Sequence, residues 1–213
     1  MIYLIGAPPR CGKTTLAKQM SRKTNISWLS SDTLDAIAQE YTTGKDWKKK
    51  FPYSHLRRIA KTRNNDDFYS AHSPAKIINL LKKQAQSAQS AIDTAIACEI
   101  ANGNDYIIEG YHIIPSFAQK MIAKYGKQNV RAVFLTKFDA TKFAVDVHKS
   151  TTPNDWLIVL TKKPETFIKV GKMISKYSEY FEKEAKSFGL QIFNMDKNFD
   201  EQIENAIKFL IKI

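Results

Sequence analysis

Between an apolar run, Ile2-Tyr3-Leu4-Ile5, and a helical pattern with Leu16, Ala17 and Met20 on one side lies Gly6-Ala7-Pro8-Pro9-Arg10-Cys11-Gly12-Lys13-Thr14-Thr15. A turn that joins a strand to a helix and closes on Gly-Lys-Thr constrains the fold more than any other stretch. The backbone N–H groups of such a turn, with those of the helix N-terminus, form a nest for an anion. Lys13 adds a point charge for the β- and γ-phosphates of a nucleotide. Thr14 offers a hydroxyl to Mg²⁺, and Gly12 permits close approach of phosphate. We therefore expect Ala7, Pro8, Pro9, Arg10, Cys11, Gly12, Lys13, Thr14 and Thr15 to line a nucleotide site, with ATP and Mg²⁺ as its ligands. One position departs from the usual Gly-x₄-Gly-Lys-Ser/Thr spacing. Ala7 stands where the first glycine belongs, and Gly6 comes one residue early. An alanine there asks for a less strained turn, so the loop should be slightly remodelled. The electropositive surroundings of Cys11 favour thiolate, but inert packing is the expected state.

The rest of the chain alternates strand and helix patterns. Ile26 to Leu29, Tyr106 to Gly110, Val130 to Thr136 and Leu190 to Met195 read as further short strands. Helical patterns cover 13–23, 33–41, 74–102, 115–126, 138–149, 164–188 and 200–212. Asn102-Gly103 and Gly189 stop two of them, and Pro164 starts another. Residues 43–73 are basic, aromatic and weakly periodic, and Thr151-Thr152-Pro153-Asn154-Asp155 reads as a break. Such alternation argues for α/β layers around a parallel sheet of about five strands. We expect a single domain over 1–213.

Composition excludes several classes. Lys and Arg number 33 against 21 Asp and Glu, a net charge of +12, with 43% hydrophobic residues and two cysteines. That is neither a disordered chain nor a disulfide scaffold. No apolar run approaches a membrane span, and no basic leader precedes Ile2, so a cytoplasmic protein without membrane contact is expected. The positive charge suits phosphorylated metabolites and, secondarily, nucleic acid.

Residues 2–17 resemble the loops of small-molecule P-loop kinases of the nucleotide and shikimate kinase group. They look particularly like the Gly-Gly-Pro-Pro-Arg-x-Gly-Lys-Ser form of 2-phosphoglycerate-kinase-like proteins. Tyr106 to Pro115, Tyr-Ile-Ile-Glu-Gly-Tyr-His-Ile-Ile-Pro, looks like their Ile-Glu-Gly-Val-His-x-x-Pro segment. The resemblance covers about 25 residues. It implies a three-layer P-loop fold in which a helical segment at about 33–102 binds the acceptor and a segment at about 137–172 forms a lid.

Phosphoryl transfer needs a metal ion and a group that orients the acceptor hydroxyl. Asp32 and Glu109 stand at the ends of two expected strands, where open α/β sheets place their sites. The resemblance implies that Asp32 contacts the acceptor hydroxyl or Mg²⁺. It puts Glu109 in the Walker-B-like place, holding Mg²⁺ directly or through water. Asp32 also suits a helix N-cap, in competition with Ser30 and Ser31. Asp35 would share the face of Asp32. Gly110 suits a close approach of ligand, and His112 either faces the acceptor or is structural. Arg57 and Arg58 point to an anionic acceptor, since Arg grips phosphate and carboxylate bidentately. Trp47, Phe51, Tyr53, Phe68 and Tyr69 stack on a base or pack the segment.

The resemblance also implies lid arginines that clamp ATP, and residues 137–188 contain no arginine. Lys142, His148, Lys149, Lys162, Lys163, Lys169 and Lys172 are cations there. Either lysines clamp, or Arg10 and the 57/58 pair reach in. The sequence thus leads to an ATP- and Mg²⁺-dependent phosphotransferase with Lys13, Asp32 and Glu109 in catalytic roles and a small, anionic acceptor. The alternatives are a nucleotide-binding NTPase switch without an acceptor and a nucleic-acid or RNA-end kinase. No Asn-Lys-x-Asp motif for guanine is present.

Overall fold

Five consecutive buried residues, Ile2–Gly6 (β1), form the central strand. A strand covered on both faces needs a continuous apolar run rather than alternation. The computed structural model describes residues 1–150 and 154–211. β1 is followed by α1 (Lys13–Thr24), β2 (Ser27–Ser30), α2 (Ser31–Glu40), α3 (Gly44–Lys50), α4 (Pro52–Ile59), α5 (Asn65–Ala71), α6 (Pro74–Ala101) and β3 (Tyr106–Gly110). Then come α7 (Pro115–Tyr125), β4 (Val130–Thr136), α8 (Ala140–Asp146), a 3₁₀ turn, α9 (Trp156–Val159), α10 (Pro164–Ser187), β5 (Gln191–Asn194) and α11 (Phe199–Ile211).

The sheet is wholly parallel in the order β2-β3-β1-β4-β5. α1 and α11 pack together on one face, and α6, α7 and α10 cover the other. The result is the three-layer α/β architecture read from the sequence. Gly6 pairs with Gly110, so β1 and β3 end level, while β4 passes Phe134 opposite Gly6 and ends two residues further on at Thr136, level with Asn194 of β5. A Cβ on Gly6 would stand 2.1 Å from the Ile113 carbonyl oxygen, so glycine is needed for this close approach.

α6 buries Ile77, Leu81, Ala85, Ala88, Ile92 and Ile96, a three-and-four spacing that marks one helical face. Burying each of the large aliphatic side chains contributes about 1.5–3 kcal/mol. The helix over 138–149 is shorter than its pattern: α8 ends at Asp146 and a 3₁₀ turn, Val147–Lys149, follows. Residues 43–73, weakly periodic in sequence, hold three helices of seven, eight and seven residues. Their limits come from Pro52 at the first helical turn of α4 and from Asn64, whose side chain accepts from Asp67 N–H at 2.8 Å. The aromatic residues there pack on one another. Tyr53 and Phe68 ring centroids lie 5.9 Å apart, and those of Trp47 and Phe51 6.2 Å. Of the expected break at 151–155, residues 151–153 lie outside the described residues, as does residue 212 of the closing helix.

Asp66 joins α5 to α10. Its carboxylate accepts from the Lys162 N–H at 3.0 Å, the Lys163 N–H at 3.2 Å and the Thr166 hydroxyl at 2.6 Å. Burial raises this carboxyl, but the Thr166 hydroxyl and the two amides outweigh it and hold it below the ordinary 3.8. A depressed carboxyl stabilises the fold above its unfolded value, and the contribution is lost as pH falls through the folded value. Asp66→Ala should cost about 2 kcal/mol at pH 7 by leaving buried donors unpaired. Thermal melts should show that gap at pH 7 and a narrowing of it below pH 3.8. An equal gap at both pH values would contradict this account.

Candidate active site

The turn after β1 carries two residues in the left-handed region, Arg10 at φ 65 and Gly12 at φ 95. Left-handed residues within a turn curl consecutive N–H groups toward a common point. α1 begins directly after Gly12, with no acidic residue in its first turn and no side-chain cap. Its first N–H groups thus face the loop without a side-chain acceptor. The Lys13 ammonium donates to the Pro8 carbonyl at 3.2 Å, folding its side chain back across the turn.

β3 delivers the acid. Glu109 accepts from the Thr14 hydroxyl at 2.9 Å and is 3% exposed. Burial raises its carboxyl above the ordinary 4.5, and Asp32 adds to this. Lys13, Thr14 and Ser30 pull the other way. A desolvated carboxylate, a hydroxyl and the nearby Asp32 form an all-oxygen donor set. Such donors suit a hard divalent ion that completes its shell with phosphate oxygens and water, as Mg²⁺ does. The residues therefore fit Mg²⁺, which Thr14 and Glu109 would hold with Asp32 beside them.

β2 delivers the second acid. α2 begins at Ser31, two residues earlier than its pattern, and the cap is Ser30, whose side chain accepts from Asp32 N–H at 3.3 Å. Asp32 is thereby freed from capping, and its side chain is 70% exposed. Asp35, one turn on, is buried and accepts from Gln39 at 2.8 Å and Gln84 at 2.9 Å. Both acids flank His112: Asp32 Oδ1 lies 3.6 Å from its Nδ1 and Asp35 Oδ1 3.6 Å from its Nε2. Ser31 Oγ sits 2.8 Å from the same Nδ1. His112 is wholly buried, and its Nε2 and Asp35 Oδ1 have no hydrogen-bond partner. A Cβ on Gly110 would fall 1.6 Å from Ser31 Oγ, so glycine is what lets β3 close against this cluster.

Arg57 and Arg58 make their contacts inside the helical segment. Arg57 lies 4.5 Å from the Phe68 ring and donates to Asn65 Oδ1 at 3.1 Å, and Arg58 lies 4.3 Å from the Trp47 ring. Cys11 is fully buried, and burial pushes its thiol up to about 11 against the pull of Lys13 and Lys137. Desolvation thus outweighs the electropositive setting, in line with the inert packing expected of this cysteine. Three lysines after β4 are engaged locally: Lys142 and Lys149 with Asp146, and Lys169 with Ser70.

Four residues not singled out in the sequence also gather at the loop. The Phe199 ring packs where a Cβ on Gly12 would stand, at 2.8 Å, and Lys137 lies 5.7 Å from that ring. Asp196 accepts from the N–H groups of Phe138, at 2.5 Å, and Asp139, at 3.1 Å. Asp155 pairs with Arg10 at 2.6 Å. Lys137, Asp196 and Phe199 stand just beyond β4 and β5, at the carboxyl edge of the sheet, which is the signal a sequence reading can use; Asp155, the cap of α9, has none.

No known protein-family profile matches the chain. It is 29% identical over 124 residues, 58% of its length, to a mevalonate-3-phosphate 5-kinase of Thermoplasma acidophilum. That match spans 56% of the length of the relative. Among solved structures it resembles a gluconokinase from Sinorhizobium meliloti, with TM-score 0.52, 13% identity, and 98% of this chain and 90% of that one covered. It also resembles a sugar kinase from Janibacter sp., with TM-score 0.53, 12% identity and coverage of 98% and 92%. The fold is that of the P-loop kinases. Among the described residues no helix is long and apolar enough to cross a membrane.

Proposed function

We propose that the chain is a phosphotransferase that moves the γ-phosphate of ATP, with Mg²⁺, to a hydroxyl or phosphate of a small anionic acceptor. The observation that carries this reading is the Thr14–Glu109 contact of 2.9 Å beside the left-handed turn at Arg10 and Gly12. The loop amides and Lys13 would hold the β- and γ-phosphates and offset charge developing on them. Thr14 and Glu109 would hold Mg²⁺, whose charge would offset that of the phosphates. Asp32, exposed at the head of α2, would orient the acceptor oxygen for in-line attack. A P–O bond forms to the acceptor, the bond to the β-phosphate oxygen breaks, and ADP leaves.

In this reading the helices at about 33–102 form the acceptor lobe and 137–172 the lid of one cytoplasmic domain. Arg57, Arg58, Asp35, Gly110 and His112 belong to the acceptor side, with His112 and Asp35 acting from beneath Asp32. Support for an anionic acceptor comes from the relative named for mevalonate 3-phosphate and from the net charge of +12. The Gly-Ala-Pro-Pro-Arg loop and the Ile-Glu-Gly-Tyr-His segment support the finer likeness to 2-phosphoglycerate-kinase-like proteins.

The test is incubation with Mg·ATP and a pooled set of phosphorylated and carboxylated metabolites, read by mass spectrometry, with Lys13→Met alongside. A new phosphorylated species that depends on Lys13 is the expected result. ADP release with no phosphorylated product, across metabolites and RNA ends alike, would replace the phosphotransferase with a switch-type NTPase.

A further inference from the structure

The segment after β4 lacks arginine, yet a transferring phosphoryl group is stabilised by a positioned guanidinium. Arg10, in the loop itself, sits at φ 65 and points its guanidinium at Asp155, with Nη2 2.6 Å from Oδ2. The Asp155 side chain is 3% exposed and that of Arg10 20%. The two meet off hydrogen-bonding alignment, so the contact is one of charge. Asp155 also caps α9 by accepting from Leu157 N–H at 3.1 Å. A carboxylate this buried is retained only when paired. Its partner being a loop residue, the loop and α9 are fixed together.

α9 is gripped from its other side as well. Asn65 donates from its backbone to the Leu160 carbonyl at 2.7 Å. Its side chain donates to the Trp156 carbonyl at 3.1 Å and the Thr161 hydroxyl at 3.0 Å. Arg57 donates in turn to Asn65 Oδ1 at 3.1 Å. One short helix therefore touches the phosphate loop through Asp155 and the helices between β2 and β3 through Asn65.

We propose that Asp155 is a positioning residue: it braces Arg10 so that this loop arginine supplies the guanidinium the lid lacks, and so that α9 and the loop move as one unit when a nucleoside triphosphate enters. Through Asn65 the same unit reports nucleotide occupancy to the acceptor side. This rests on the phosphotransferase reading above.

Hydrogen exchange of the full chain, with and without Mg²⁺ and a non-hydrolysable ATP analogue, tests it together with kinetics. In the wild type the analogue should slow exchange both at the loop and α1 amides and across 155–163. In Asp155→Asn the loop should stay protected while the 155–163 protection is lost, and kcat should fall about tenfold with KM for ATP little changed. Arg10→Ala should lower kcat about 10²-fold, and the Arg10→Ala/Asp155→Asn double variant should be no slower than Arg10→Ala alone. Arg10→Lys, which keeps a charge beside Asp155, guards against a variant that does not fold: it should keep 155–163 coupled to the loop while kcat stays lowered, because an ammonium does not replace the planar guanidinium. Loop protection with coupling intact in Asp155→Asn or Arg10→Ala, or additive losses in the double variant, would overturn the brace alone. Absence of loop protection in the wild type would overturn the phosphotransferase reading and the brace with it.

Discussion

Lys13→Met should lower turnover about 10³-fold while shifting the melting temperature by no more than about 2 °C. The asymmetry follows from where the ammonium sits. Lys13 opens α1 and donates to the Pro8 carbonyl at 3.2 Å, a local contact across the turn. Losing it leaves one carbonyl to water, a cost within the small range of surface substitutions. The transferring phosphoryl group, in contrast, spreads charge over its equatorial oxygens, and a positioned cation in a water-poor site acts on that charge directly. Lys13→Arg should not restore the rate, because a planar fork cannot replace a compact point charge at the same place. Steady-state turnover and a thermal melt of the same preparations decide the matter. Turnover at the wild-type rate would remove the loop as the reacting site.

Glu109→Gln is expected to move activity and stability in opposite directions. Glutamine keeps an oxygen able to accept from the Thr14 hydroxyl, now 2.9 Å from Glu109. It loses the charge, and with it the holder proposed for the metal ion, so kcat should fall about 10²-fold and the Mg²⁺ requirement should rise. Stability behaves differently, because burial holds the Glu109 carboxyl above its ordinary 4.5. The folded state then binds more protons than the unfolded state between 4.5 and the raised value. Stability from this group is full below 4.5 and is lost as pH rises through the folded value. The variant has no such loss. Its melting temperature should exceed the wild-type value at pH 7, and the two should converge at pH 4. A variant less stable than wild type at pH 7 would show that Glu109 is not a desolvated, under-compensated carboxylate.

The parts of this molecule that were legible in sequence share one property: their signal is contiguous. β1, β3 and β4 announce themselves as apolar runs, and α6, α7 and α10 by long three-and-four spacing between a proline or polar start and a stop at Asn102-Gly103, Gly126 or Gly189. The Gly12-Lys13-Thr14 loop and the Glu109-Gly110 pair are contiguous too. β2 was displaced by one residue because it is an outer strand, partly exposed, where an apolar run is not required. α3, α4 and α5 escaped a periodic reading because helices of two turns show too few repeats, and caps such as Asn64 define them instead. Lys137, Asp155, Asp196 and Phe199 come from three separate segments. What joins them to the loop is the carboxyl edge of the sheet for Lys137, Asp196 and Phe199 and the head of α9 for Asp155, and both exist only once the chain has folded. For Cys11 the local charges and an inert, packed thiol were both readable, and the fold adds how far burial pushes that thiol, up to about 11.

The strand order has a consequence for synthesis. β1 pairs only with strands that come much later: Ile2 meets Tyr106 on one side and Val130 on the other. At about 5–20 residues per second, the ribosome needs roughly 5–20 s to make the first of those partners after β1 has emerged. Throughout that interval the apolar run of β1 has α1 beside it but no strand to pair with. Nascent chains should therefore engage chaperones through residues 2–6 until translation passes β3, and a pause inserted before Tyr106 should aggregate more product than one placed after Thr136.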